Sequence, residues 1–246
     1  MEGNPFSRVT GAAVAAPECE RFRSEAHAAF REFVTRQDFP CVGARAAFNA
    51  GSYALCVYDE MASEAATAAL TENLYDFTHS DLARTSEYAT FIAVFRRSEA
   101  SDEVQFERAL WRQLTALNRA DAQHFDWDPS VQSDPADPQF SFSFAGRALY
   151  VIGMHPNSSR LARRFPWPAM VFNPHEQFEH LRADGKWKRM QQTIRERDLA
   201  LQGSINPTLS DFGESSEARQ YSGRAVEENW QAPFKPATAG KCPFHH

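Results

Sequence analysis

The segment Gly153-Met154-His155-Pro156-Asn157-Ser158-Ser159-Arg160-Leu161-Ala162-Arg163-Arg164-Phe165 gathers the residue types best able to do chemistry in this chain. Pro156 biases His155 toward an extended conformation and suits the first position of a short helix, so the amides of Asn157, Ser158 and Ser159 are expected to point at an anion. On such a helix Arg160, Arg163 and Arg164 stand at i, i+3 and i+4 and share one face. An imidazole fixed beside three guanidiniums suits a haem, with His155 as the axial nitrogen on iron and the arginines as cations for the propionates. The same set suits a phosphate or carboxylate ligand. Spacing alone does not separate either from a hydrogen-bonded core histidine beside a solvated arginine cluster.

Two cysteines offer sulfur chemistry. In Lys241–His246, the pair Cys242-Pro243 is able to present a thiolate to haem iron, with the proline turning the chain away from the metal; the competing reading is an exposed thiol near a chain end. Cys41, within Phe39-Pro40-Cys41-Val42-Gly43-Ala44-Arg45, is either a small residue packed at a tight entry to the sheet or a thiol on a pocket wall. Cys19, Cys41, Cys56 and Cys242 have neither zinc-ligand spacing nor the density of a disulfide framework, so reduced thiols are expected. His79, His124, His175 and His180 lack the paired i, i+4 spacing with a glutamate that a zincin helix needs, and no GxSxG, P-loop or GxGxxG occurs.

The elements that must hold these groups follow from periodicity. Residues 1–17 read as a flexible arm, and Phe22, Ala26, Ala29, Phe30, Phe33 and Val34 repeat at helical spacing before Pro40. Ser52 to Tyr58 reads as a strand; Ala66, Ala69, Leu70, Asn73, Leu74 and Phe77 mark a second helix from about Ser63; Tyr88 to Phe95 reads as a buried strand. A third helix is expected from an N-cap at Ser101 to about His124, with Phe106, Leu110, Leu114 and Leu117 on its apolar face. The run DWDPSVQSDPADP, with three prolines and four acids, has to be a surface loop. Phe140, Phe142 and Phe144 alternate with serines ahead of Ala145, Gly146 and Arg147, and Leu149 to Met154 completes a hairpin.

Pro168 to Phe172 is one more strand, and Phe178, Leu181, Trp187, Met190 and Ile194 mark helical segments interrupted at Asp184 and Gly185. Residues 203–246 are rich in glycine and proline and read as an irregular tail that wraps the domain or stays partly disordered. Hairpins mixed with non-alternating helices imply a single α+β domain over residues 18–246, with a largely antiparallel sheet covered by helices.

Composition bounds the function. The 246 residues are enough for one sizeable core, and 43% hydrophobic with 24% charged residues is ordinary globular usage. Twenty Phe against six Tyr means that many rings carry no polar handle, which suits a core or the wall of an apolar pocket. A formal net charge of −6 argues against nucleic-acid binding, and the absence of any long apolar run or basic leader argues against a membrane span or export. A cytoplasmic protein is expected.

Three stretches carry a family resemblance: FPCVGARAAF at Phe39–Phe48, SFSFAGRALYVIGMHPNSSRLARRFPWPAMVFNPHEQF at Ser141–Phe178, and LQGSINPTLSDFGESSEARQYSGR at Leu201–Arg224. Together they resemble the YqcI/YcgG family, and most closely its branch containing the haem-dependent guanitoxin-pathway N-hydroxylase. That resemblance implies b-type haem, dioxygen as co-substrate, and hydroxylation of a guanidino or amino nitrogen in a small arginine-like substrate. An external reductase would supply the electrons, and a homodimer is compatible with this picture. In that reading His155 ligates iron, with Cys242 as the alternative, while Arg160, Arg163, Arg164 and Cys41 contact the cofactor. Two other readings compete: a haem carrier or sensor whose Cys242-Pro243 tail closes the sixth position, and a cofactor-free protein that binds an anionic metabolite at the arginines.

Overall fold

The computed structural model describes residues 4–6, 17–98, 100–205 and 212–237. Thr90–Phe95 (β2), TFIAVF, is an interior strand of the sheet, buried along its whole length, as an unbroken apolar strand must be when both faces of its sheet are covered. β2 pairs in parallel with Tyr53–Tyr58 (β1) and antiparallel with Ala169–Pro174 (β5). β5 is antiparallel to Arg147–Met154 (β4), and β4 to Phe142–Phe144 (β3), giving the order β1-β2-β5-β4-β3. The fold is therefore α+β with one mostly antiparallel sheet. The single parallel pair arises because Glu64–His79 (α3) and Asp81–Thr85 (α4) carry the chain back over the sheet between β1 and β2.

Strand alternation splits the core into two layers. On one face Ile92, Val94, Met154 and Val171 meet Phe22, Phe30, Phe48 and Phe165, contributed largely by Pro17–Thr35 (α1) and Val42–Ala50 (α2). On the other, Phe91, Phe95, Leu149, Val151 and Phe172 meet Leu70 and Leu74 of α3 and Phe106, Leu110, Trp111 and Leu114 of Glu103–Asp121 (α5). Burying one such side chain contributes about 1.5–3 kcal/mol, so the two layers supply most of the driving force for the fold. α5 presses hard on β4: a Cβ at Gly153 would lie 2.6 Å from both Leu110 and Phe106 and 2.8 Å from the Tyr221 carbonyl.

Several local expectations are corrected. Asp102, not Ser101, caps α5, its carboxylate accepting the Gln105 amide at 2.8 Å. The stretch after Pro40 holds α2, which starts on Cys41 as N-cap and stops at left-handed Gly51. No helix follows Pro156; after a turn there is only a single 3-10 turn, Leu161–Arg163. The groups expected to start that helix are used elsewhere: Asn157 donates to the Ala100 carbonyl at 2.7 Å, and the Ser159 amide and hydroxyl both donate to Glu103.

The β3–β4 hairpin turns at Ala145 and Gly146, both at positive φ, and the Asp121 carboxylate accepts the Ala145 amide at 2.8 Å to hold that strained residue. After β5 come His175–Ala183 (α6) and Lys186–Gln202 (α7), joined through left-handed Gly185; α7 buries only Asp198. The tail from 212 to 237 wraps the α5 face and forms one short helix, Ala218–Tyr221 (α8). Glu107 of α5 anchors it, accepting from the Ser222 hydroxyl, the Arg224 guanidinium and the Trp230 indole. Much of the expected N-terminal arm lies outside the described residues, although Phe6 packs edge-on against Tyr75 and stacks on Phe144. Among the described residues no helix is long and apolar enough to cross a membrane.

Candidate functional site

A cavity of about 260 Å³ lies on the α1–α2 face of the sheet, roofed by α6 and α7. It is comparable with the lower end of small-molecule sites, which start near roughly 300 Å³. Tyr150, Ile152 and Met154 of β4 and Val171 and Asn173 of β5 contribute from the sheet; Phe30, Phe39, Phe48, Tyr88, Phe178 and Trp187 make the walls largely aromatic. That composition is dictated by the even-numbered residues of β4, which point away from α5.

Cys41 lines this cavity. Its sulfur is the N-cap of α2 and accepts the Ala44 amide at 3.4 Å. Burial pushes the thiol up from its ordinary value, opposed by the amides of Ala44 and Gly43 and by the positive charge of Arg163. A helix N-terminus and a nearby guanidinium are the two features that favour a thiolate once something offsets the burial cost.

Arg160 and Arg163 also line the cavity, whereas Arg164 does not. The 3-10 turn replaces the helical face on which all three would have stood together, and each guanidinium goes its own way. Arg160 forms a buried ion pair with Asp198 of α7 and donates to the Ser204 hydroxyl and carbonyl at 3.2 Å. Arg163 donates to the carbonyls of Gly153 at 3.0 Å, Gln220 at 3.3 Å and Tyr221 at 3.4 Å, and burial draws it below its ordinary pKa. Arg164 donates through Nε to the Ser158 carbonyl at 2.9 Å.

His155 falls on the opposite face of the sheet. It follows β4 in the odd-numbered register of Val151 and Gly153, so it stacks on Phe106 of α5 with ring centroids 4.4 Å apart, and it is absent from the cavity wall. It is buried, neither ring nitrogen has a hydrogen-bond partner among the described residues, and burial lowers its pKa, which favours the neutral ring. The structure thus brings Cys41, Arg160 and Arg163 to one cavity and separates His155 and Arg164 from it. Cys242 lies outside the described residues.

The family model for the YqcI/YcgG family matches residues 30–235, a span that holds the whole cavity wall. This chain belongs to the YqcI/YcgG family. No curated protein and no solved structure matches it.

Within this YqcI/YcgG domain the cavity has a polar end that sequence reasoning missed. Tyr150 donates to Gln220 Oε1 at 2.8 Å, and burial raises its hydroxyl pKa well above the ordinary value. Glu217 and Gln177 line the same cavity, and His175 Nε2 stands 3.5 Å from Glu217 Oε1. These residues come from β4, α6 and the tail, with no common spacing. The one available signal was the parity of β4, which puts Tyr150 with Ile152 and Met154 on the face away from α5.

A second, smaller cavity of about 200 Å³ is lined by Asn118, Asp121, Trp127, Pro236 and Ala237. Among the described residues no three His, Cys, Asp or Glu side chains form a group able to hold a metal ion by themselves.

Proposed function

We propose that this protein is a haem-dependent oxygenase that N-hydroxylates a small guanidino- or amino-containing substrate with dioxygen. Membership of the YqcI/YcgG family motivates the reading. The observation that carries it is the Cys41 thiol on an aromatic-walled cavity, at the N-terminus of α2 and within electrostatic reach of Arg163.

The donor set fits a b-type haem in kind: one soft iron ligand, apolar walls for the macrocycle, and arginine charge for the propionates. Cys41 is the residue that would hold the iron there, because His155 faces α5 across the sheet. Arg163 supplies positive charge on the cavity wall, whereas Arg160 and Arg182 are already neutralised by Asp198 and Glu179. Haem bound there supplies dioxygen binding and activation at iron, with electrons from an external reductase. The protein's own part is to exclude water with the Phe and Trp side chains, to hold the sulfur at a helix start that favours its anion, and to keep the guanidinium of Arg163 fixed on three carbonyls. A low-dielectric enclosure strengthens each of these charge interactions.

Absorption spectra of the haem-supplied protein, oxidised and reduced under CO, test the proposal together with a pyridine haemochrome assay. A stoichiometric b-type haem is expected, with a thiolate-type red-shifted ferrous CO band. That band is expected to be lost in Cys41→Ser and retained in His155→Leu and in a chain truncated after residue 240. A histidine-type band abolished only in His155→Leu would return the ligand to His155, and loss of the band on truncation alone would assign it to Cys242. Failure to take up haem would refute the oxygenase reading.

A further inference from the structure

Glu217 reaches the cavity as a buried carboxylate whose contacts are long. The Tyr221 hydroxyl donates to Oε2 at 3.5 Å and His175 Nε2 stands 3.5 Å from Oε1, where charge-assisted hydrogen bonds normally close to about 2.7–2.9 Å. The arginines of the cavity wall have partners of their own. Arg160 pairs with Asp198, Arg182 with Glu179, and Arg163 donates to backbone carbonyls. Burying a carboxylate is unfavourable unless hydrogen bonds or a countercharge offset it.

A second acceptor lines the same cavity. Gln177, also buried, sits two residues after His175 on α6, and its Oε1 has no hydrogen-bond partner among the described residues. An orphaned amide oxygen and an under-coordinated carboxylate call for the same complement, a cation with more than one N–H to donate. The rings around them are compatible with such a group. Phe178 and Phe212 line this end, and the guanidinium of Arg182 already packs over the Phe212 ring at 5.8 Å and over Trp187 at 4.9 Å.

We propose that Glu217, assisted by Gln177, is the charge-selecting residue of the cavity and binds the cationic nitrogen group of a small-molecule ligand there. The inference deepens the oxygenase reading in one respect, that this ligand is taken to be the substrate; the site itself rests on the two acceptors. It also makes the C-terminal wrap part of the site, because Glu217 reaches the cavity only when residues 212–221 are docked against β4 and α6.

Isothermal titration calorimetry on the full chain, haem-free and haem-supplied, tests the site with four probes of equal chain length: butylguanidine, butylamine, 1-butanol and butyrate. Saturable binding of at least one of the two cations is expected, with no detectable binding of the alcohol or the anion. Glu217→Gln is expected to weaken that binding about tenfold or more and Gln177→Leu by several-fold, while Glu217→Asp retains part of it.

Unchanged cation affinity in a folded Glu217→Gln protein overturns the inference, as does equal binding of 1-butanol by the natural chain. If Glu217→Gln does not fold, Gln177→Leu decides: weakened binding supports the site and unchanged binding overturns it. Haem uptake without saturable cation binding removes this inference and leaves the oxygenase reading standing. Cation binding by a protein that takes up no haem does the reverse.

Discussion

Arg160 and Asp198 form an ion pair in which both side chains are only 9% exposed, and it fastens the 3-10 turn after β4 to the C-terminal part of α7. Asp198 is the one buried residue of a helix that otherwise roofs the cavity with half-exposed side chains such as Trp187, Met190 and Ile194. The geometry of the roof therefore depends on this pair, together with the Gln202 carboxamide oxygen that accepts the Leu161 amide at 2.8 Å.

Removing Asp198 leaves Arg160 as a buried charge without its countercharge, and removing Arg160 takes from buried Asp198 its short ion pair. Asp198→Asn or Arg160→Met is expected to cost about 3–5 kcal/mol in urea unfolding, whereas the double change Arg160→Met with Asp198→Leu costs far less or is neutral. Limited proteolysis is expected to cut α7 faster in the single variants. Losses below about 0.5 kcal/mol in both would mean that water reaches the pair and that it behaves as a surface bridge.

Much of the fold was legible because its signals are local. The alternation of Phe140, Phe142 and Phe144, the Ala-Gly turn and the unbroken apolar run of β2 each specify an element without outside information. α2 escaped because it is short and opens on a cysteine, a side chain outside the usual capping set. The helix expected after Pro156 failed for a tertiary reason: Asn157 and Ser159 are spent on the start of α5.

The site was legible in its members more than in their arrangement. Cys41, Arg160 and Arg163 do meet, but Tyr150, Gln177 and Glu217 join them through strand pairing and tail docking that no spacing encodes. His155 stands apart from them because the parity of β4 sends residue 155 toward Phe106, a placement that Pro156 and the neighbouring arginines do not signal.

That position gives His155 a distinct pH signature. A histidine whose folded pKa is lowered binds its proton more readily in the unfolded chain, so its contribution to stability is complete above the unfolded value near 6.5 and falls as the pH drops below it. Leucine fills a similar volume and leaves no unsatisfied nitrogen. His155→Leu is expected to be as stable as the natural protein or more so by about 1 kcal/mol at pH 7.5, with a larger advantage at pH 5.5. Chemical denaturation at both pH values measures this. A variant that loses several kcal/mol at pH 7.5 would show that the imidazole has a partner and a structural role.

Asp121 titrates with the opposite sign. It is the last residue of α5, buried to 3% exposure, and burial pushes its carboxyl up to about 7 despite the hydrogen bond from the Ala145 amide. The carbonyl end of a helix also disfavours a negative charge. An acid whose folded pKa exceeds its unfolded value of 3.8 holds its proton more tightly when folded. Stability from this group is therefore greatest at low pH, declines as pH rises from about 4 to about 7, and is flat above that. Asn at this position keeps an oxygen to accept the Ala145 amide and removes the titration. Asp121→Asn is thus expected to match the natural protein near pH 4.5 and to exceed it by on the order of 1–4 kcal/mol at pH 8. Urea unfolding of both proteins across that range reads the difference directly. Parallel curves would mean that Asp121 ionises within the fold as readily as in water, with the small cavity beside Trp127 and Pro236 admitting enough solvent to pay that cost.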